Sequence, residues 1–304
     1  MSEHERGVGW IHIRGVVTPG IDRLDGSLRP AQVRAGPVGY DEAVTELGSC
    51  GVTRRPWLFL VLVLVASAPF WLLAVLTRGQ GWFLGLPVSV VMIIVPAAVA
   101  SVLGVKEGGR TGLHALWLGV FDVARVRPGW WWVVGLGAVP VSALLAWVLG
   151  ARPAADSAAA VWFLAPVYFA VFYLGAIPEE VGWSSYATPP LVGRLGVLGA
   201  GGVIGVVWEV WHWVPFWAQG RSWDWILSML VFGVLSRTLM VLLYHHGGGG
   251  LAMVCAFHAM LNTVPLFPAG FTGFDPWLAC PGMLAVLMGA MQVARFQATS
   301  PPTI

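Results

Sequence analysis

Behind a charged head of about 50 residues, the chain turns into a succession of apolar runs, and these leave it little choice of fold. Eight of them, roughly 57–77, 82–104, 130–149, 160–187, 197–217, 225–245, 250–267 and 277–294, are bounded by Gly, Pro or charge. A helix needs about 20 apolar residues to cross the hydrocarbon of a bilayer, and lipid tolerates only segments that satisfy their own backbone. Only 11% of the residues are charged, against about 25% in a soluble domain. The expectation is an all-α, polytopic integral membrane protein of about eight transmembrane helices. Gly247 to Gly250 predicts a tight connection between the sixth and seventh.

Charge distribution gives the layout. Residues 1–55 hold 14 of the 32 Asp, Glu, Lys and Arg. They are expected to form a cytosolic extension, largely irregular, with one short helix over Asp41 to Leu47 ended by Gly48; residues 56–298 form the membrane domain. The first apolar run begins only at Trp57, so no secretory signal is expected. With the N-terminus inside, Arg54, Arg55, Lys106, Arg110, Arg125, Arg127, Arg194 and Arg295 fall in inner loops. Arg78, Arg152 and Arg221 fall in outer ones. That asymmetry predicts both termini in the cytosol of a multi-pass cell-membrane protein. Leu113, Leu116, Trp117, Val120, Phe121 and Ala124 recur at helical spacing and predict one amphipathic helix on the cytosolic interface. The net charge of +2 gives no reason to expect nucleic acid as a partner, and Cys50, Cys255 and Cys280 show no metal-ligand spacing. No internal repeat is visible, which argues against a repeat-built transporter.

Ionisable groups are costly at membrane depth and are therefore candidates for function. Here they gather in the second half of the chain: Glu179 and Glu180, Glu209 and His212, Arg237, then His258 and Asn262. His258 and Asn262 are four residues apart and share a helix face, as do Trp208 and His212. Glu179 and Glu180 stand about 100° apart around a helix, so only one should face the bundle interior directly. Arg237 or Glu209 taken alone reads as a structural pairing group, and a lone His258 as a satisfied core histidine. Three successive helices each bringing a carboxylate, imidazole or amide inward point instead to a site, with a carboxylate suited to act as general base for water.

Three segments in order carry a family resemblance. They are Glu179-Glu180-Val-Gly-Trp-Ser184-Ser185-Tyr186-Ala-Thr-Pro189, Trp208-Glu-Val-Trp-His212-Trp-Val-Pro215, and His258-Ala-Met-Leu-Asn262. Over about residues 130–295 the chain resembles the CPBP family of type II CAAX prenyl endopeptidases and bacteriocin-processing or self-immunity membrane proteins. Three departures stand out: Ser184 occupies the place of the family's Arg, Ser185 that of the Gly after it, and Trp208 that of its Phe. Arg237 from a neighbouring helix is a candidate replacement for the missing guanidinium.

The resemblance implies an intramembrane endopeptidase that hydrolyses a membrane-associated, lipidated or lipid-proximal peptide with an activated water and no cofactor. Glu179 would be the base. His212 would orient the water or protonate the leaving amine, His258 and Asn262 would donate to the oxyanion, and Glu180 would tune Glu179 or hold the helices. The four groups Glu179, His212, His258 and Asn262 should meet in one cavity among the fourth, fifth and seventh spans, open toward the cytosol. Alternatives are a zinc site through Glu179, His212 and His258, with Glu209-x-x-His212 as a further metal-type pair, a catalytically degenerate scaffold or bacteriocin-immunity protein, and a proton-relaying transporter. Ser184 and Ser185 lack a Gly-x-Ser-x-Gly elbow.

Overall fold

The structure, a computed structural model, describes residues 54–83, 86–126, 129–151, 164–269 and 274–299. The expected N-terminal extension, its Asp41–Leu47 helix and Cys50 lie outside the described residues. In chain order the elements are α1 Pro56–Leu76, an antiparallel ladder of β1 Gly81–Phe83 with β2 Leu86–Pro87, a 3-10 turn Val88–Ile93, and α2 Ile94–Trp117. After a 3-10 turn at Val123–Arg125 come α3 Trp131–Val148, α4 Ala165–Glu180, a π-helical segment Val181–Ala187, α5 Thr188–Ala218, α6 Trp223–His246, α7 Leu251–Ala269 and α8 Pro276–Thr299.

Six stretches are long and apolar enough to cross a membrane: Pro56–Leu76, Val90–Trp117, Trp131–Val148, Ala165–Ala218, Trp223–His246 and Pro276–Gln297. Leu251–Val264 is apolar but shorter. A polytopic, helical membrane protein is therefore what this chain forms. Its outer surface agrees, because Val61, Val65, Leu72 and Leu76 on α1, Val133, Leu144 and Val148 on α3, and Phe296 on α8 are each more than half exposed. Water would penalise so continuous an apolar face; hydrocarbon does not. The fourth and fifth apolar runs are not separate here but lie in one helical stretch of 54 residues, because the π segment carries helical hydrogen bonding through Ser184 and Ser185. The axis breaks at Gly196, whose φ of 68° and ψ of 175° are open to glycine.

Helix α6 is the centre of the bundle: 67% of its apolar window is buried, against 28–39% in the other spanning stretches. Its closest partner is α5. A Cβ on Gly201 would lie 2.6 Å from the Cα of Thr238, and one on Gly205 2.9 Å from that of Val234, so the two backbones meet through small residues. The tight connection expected at Gly247–Gly250 is observed, with Gly248 and Gly249 both in the left-handed region. Packing of α4 on α7 and of α3 on both α7 and α8 completes the core.

The amphipathic interfacial helix takes a different form from the one expected. Gly109 (φ 60°, ψ −146°) breaks α2 and reverses the chain. Gly112 then meets the carbonyl of Gly104, and Trp117 Nε1 donates to Ser101 Oγ at 3.3 Å. The helix ends at Trp117, well short of Ala124, and Leu116 and Val120 are buried instead of facing outward. A spacing pattern alone cannot register that a glycine folds the segment back on its own helix.

Candidate functional site

The last turn of α4 delivers Glu179 and Glu180, and the π segment follows at once. That segment is held at backbone distance from α2, since a Cβ on Gly182 would lie 2.6–2.8 Å from atoms of Pro96. It is wedged from the other side by ring contacts of Trp183 with Phe59 and Trp211 and of Tyr186 with Phe59. Tyr186 Oη also donates to the Glu107 carboxylate at 2.9 Å. Such one-turn π insertions recur at functional sites, and here one follows directly on the two carboxylates.

The two glutamates are both buried but face different neighbours, whereas the sequence predicted that only one would face inward. Glu180, 0% exposed, is surrounded by donors. Arg237 Nη1 reaches its Oε2 at 2.8 Å and Nη2 its Oε1 at 3.1 Å, the two-pronged geometry a guanidinium offers a carboxylate. Ser184 Oγ donates to Oε2 at 2.5 Å, and His258 Nδ1 lies 2.8 Å from Oε1. Arg237 thus reaches the glutamate pair from α6, and Ser184 adds a donor of its own.

Among the described residues Glu179 has a single hydrogen bond, accepted from Trp208 Nε1 at 2.9 Å. The Trp208 indole is the shared wall of the site. Its ring centroid lies 5.1 Å from that of His212 and 5.5 Å from that of His258, each edge-on, with the Arg237 guanidinium carbon 4.4 Å over its face. His212 Nδ1 sits 2.7 Å from the Trp208 carbonyl. The partners of both imidazole Nδ1 atoms, a carbonyl and a carboxylate, only accept, so each Nδ1 carries a proton and donates it.

A cavity of about 460 Å³ brings Glu179, Glu209, His212, His258 and Asn262 together. It is walled mainly by apolar groups, among them Phe172, Phe216, Met229 and Phe232, and it draws on the Val88–Ile93 turn, α4, α5, α6 and α7. That is wider than the three helices expected. Glu180 is absent from its wall, acting behind His258. The cavity runs to Gln219, Arg221 and Trp225 at the α5–α6 connection, where Gln219 is exposed. This end is opposite the one carrying Arg54 and Gly247–Gly250. With cytosolic termini the cavity would open outward, reversing the expected direction. The reason is that His212 and Glu209 lie in the second half of α5, beyond the break at Gly196.

Three features were missed in the sequence. Standing in for a Phe, Trp208 gives no sign in the sequence of the N–H that it donates to Glu179. Ser184 was read only as a loss. Glu209 reads in the sequence as a pairing group or, with His212, as a metal-type pair, yet among the described residues its Oε2 has no hydrogen-bond partner and it makes no ion pair. The i, i+3 spacing of Glu209 and His212 did place both on one face. Among the described residues no group of three or more His, Cys, Asp or Glu is placed to hold a metal ion.

Gly233 on α6 faces Glu209 so closely that a Cβ there would overlap the carboxylate. Gly233→Ala is therefore expected to cost about 1–3 kcal/mol through overpacking, read as a lower thermal midpoint in detergent. Combining it with Glu209→Ala should recover most of the loss; a Gly233→Ala protein as stable as wild type would show that the glycine makes no room for Glu209. No protein-family model matches this chain, and no curated protein matches it significantly.

Proposed function

We propose that this protein is an intramembrane endopeptidase of the CPBP type, hydrolysing a peptide bond of a membrane-associated or lipidated peptide with an activated water. The observation that carries the proposal is the unequal treatment of two adjacent carboxylates. Glu180 is neutralised by Arg237, while Glu179 faces an apolar-walled cavity with, among the described residues, one hydrogen bond and no ion pair. A buried carboxylate without a counter-ion among the described residues, lining one cavity with His212 and His258, is arranged to take a proton.

In the proposed step, water attacks the scissile carbonyl carbon as its proton passes to Glu179. His212 Nε2 accepts the second water hydrogen and orients the attack. The oxyanion is met by the Asn262 amide, a donor in every protonation state, whereas His258 donates from Nε2 only as an imidazolium. Collapse of the tetrahedral species breaks the C–N bond, and Glu179 returns its proton to the leaving amine. Glu180 holds His258 through Nδ1 and acts as a positioning residue.

Counting the 54-residue stretch as two passes divided at Gly196, and Leu251–Val264 as another, supports eight crossings in all. Both termini would then lie on the cytosolic face of the cell membrane. The direct test is peptide cleavage in proteoliposomes by wild type and by Glu179→Gln. Cleavage by wild type only supports the proposal. No cleavage by either points to a degenerate scaffold or immunity protein.

A second experiment asks whether Arg237 stands in for the family guanidinium. Ser184→Arg alone is expected to be destabilising, because Ser184 is 1% exposed and Glu180 is already saturated. Moving the cation, as Ser184→Arg with Arg237→Ala, should regain part of the activity that Arg237→Ala loses. If the double variant is no better than Arg237→Ala, the two positions are not equivalent.

A further inference from the structure

We infer that Glu209 forms a cation-recognising subsite of the cavity, built for a primary ammonium or guanidinium such as a Lys or Arg side chain. That this group belongs to a peptide substrate rests on the hydrolase proposal above; the subsite itself does not. Glu209 is 1% exposed, lines the cavity, and has a carboxylate oxygen without any hydrogen-bond partner. An ionised carboxylate so placed is expensive unless paired, and among the described residues no cation lies within 4 Å of it. Arg237 is near enough to act on Glu209 electrostatically, but it gives both terminal nitrogens to Glu180 and its Nε makes no hydrogen bond. Arg221 lies with its guanidinium carbon 4.7 Å from the Trp225 ring at the cavity mouth.

The position is also built. Gly233 is the residue of α6 that lets the carboxylate lie between the two most closely packed helices. Around it, Met229, Phe232 and Phe216 offer apolar contact to an alkyl stem, the environment in which a lysine-like chain buries its methylenes and presents its charge. The cavity volume of about 460 Å³ falls within the range of small-ligand sites. A cation seated here would gain a hydrogen-bonded charge pair shielded from water, and a neutral ligand of the same shape would not.

The test is a titration of the full-length protein in nanodiscs with n-pentylammonium chloride and with n-pentanol, followed by tryptophan fluorescence, since Trp208 and Trp225 line the cavity. Wild type is expected to bind the ammonium at least tenfold more tightly than the alcohol. Glu209→Gln should abolish that preference and Glu179→Gln should retain it. Equal binding of the two probes by wild type overturns the inference without recourse to any variant, and is the outcome for a carboxylate that only carries a proton. A preference that survives Glu209→Gln, or is lost in Glu179→Gln, overturns it as well. Cleavage is not read in this titration. A protein that cleaves peptides but shows no ammonium preference refutes the subsite alone, and one that prefers ammonium but cleaves nothing refutes the hydrolase alone.

Discussion

Replacing Glu179 with alanine is expected to lower peptide cleavage by about 10²–10⁴-fold, the usual contribution of a general base, while the protein stays folded. The folded-state loss is small because Glu179 makes one hydrogen bond, from Trp208 Nε1 at 2.9 Å, and has no cation partner among the described residues. Truncating a costly buried carboxylate should leave the thermal midpoint unchanged or raise it. Both quantities must be measured on the same preparation. A variant that cleaves within a few-fold of wild type removes Glu179 from the chemistry, and one that unfolds makes Glu179 a structural residue. Chelator is expected to leave wild-type cleavage intact; if it abolishes cleavage and zinc restores it, a metal mechanism replaces the glutamate one.

Arg237→Leu is expected to destabilise the protein by about 3–5 kcal/mol, the cost of breaking one partner out of a buried ion pair. Glu180 would keep Ser184 and His258 but lose both charged bonds in a site 0% exposed to solvent. The guanidinium also covers the face of Trp208, so the wall beside Glu179 should loosen and cleavage fall with stability. Arg237→Lys should lie between, because an ammonium cannot span both carboxylate oxygens. The decisive comparison is Glu180→Gln with Arg237→Leu, in which no charge is left uncompensated. That pair should be more stable than Arg237→Leu alone. If it is worse, the ion pair is not what Arg237 contributes.

Much of this was legible along the chain because bilayer solvation imposes a simple rule on sequence. Apolar runs near 20 residues announce helices, and the polar residues that interrupt them stand out against so uniform a background. Glu179, His212, His258 and Asn262 stand out in this way, and all four line one cavity. Arg237 was singled out as a candidate partner of the glutamates for the same reason, and it reaches Glu180 across 57 residues of chain.

What periodicity could not carry was everything that depends on how one helix meets another. The division of labour between Glu179 and Glu180 follows from which neighbours surround each: α6 and α7 supply Arg237 and His258 to one, and α5 supplies only an indole N–H to the other. The recruitment of Ser184, the fold-back at Gly109 and the side on which the cavity opens are likewise products of packing. The sequence by itself determined that the chain is a helical membrane protein with a buried polar cluster, because hydrophobic transfer is a property of each segment alone. Which carboxylate is neutralised and which is left facing the cavity was decided only by the tertiary structure. Hydrogen bonds and ion pairs act over about 3 Å, between atoms that only the packing of the bundle brings together.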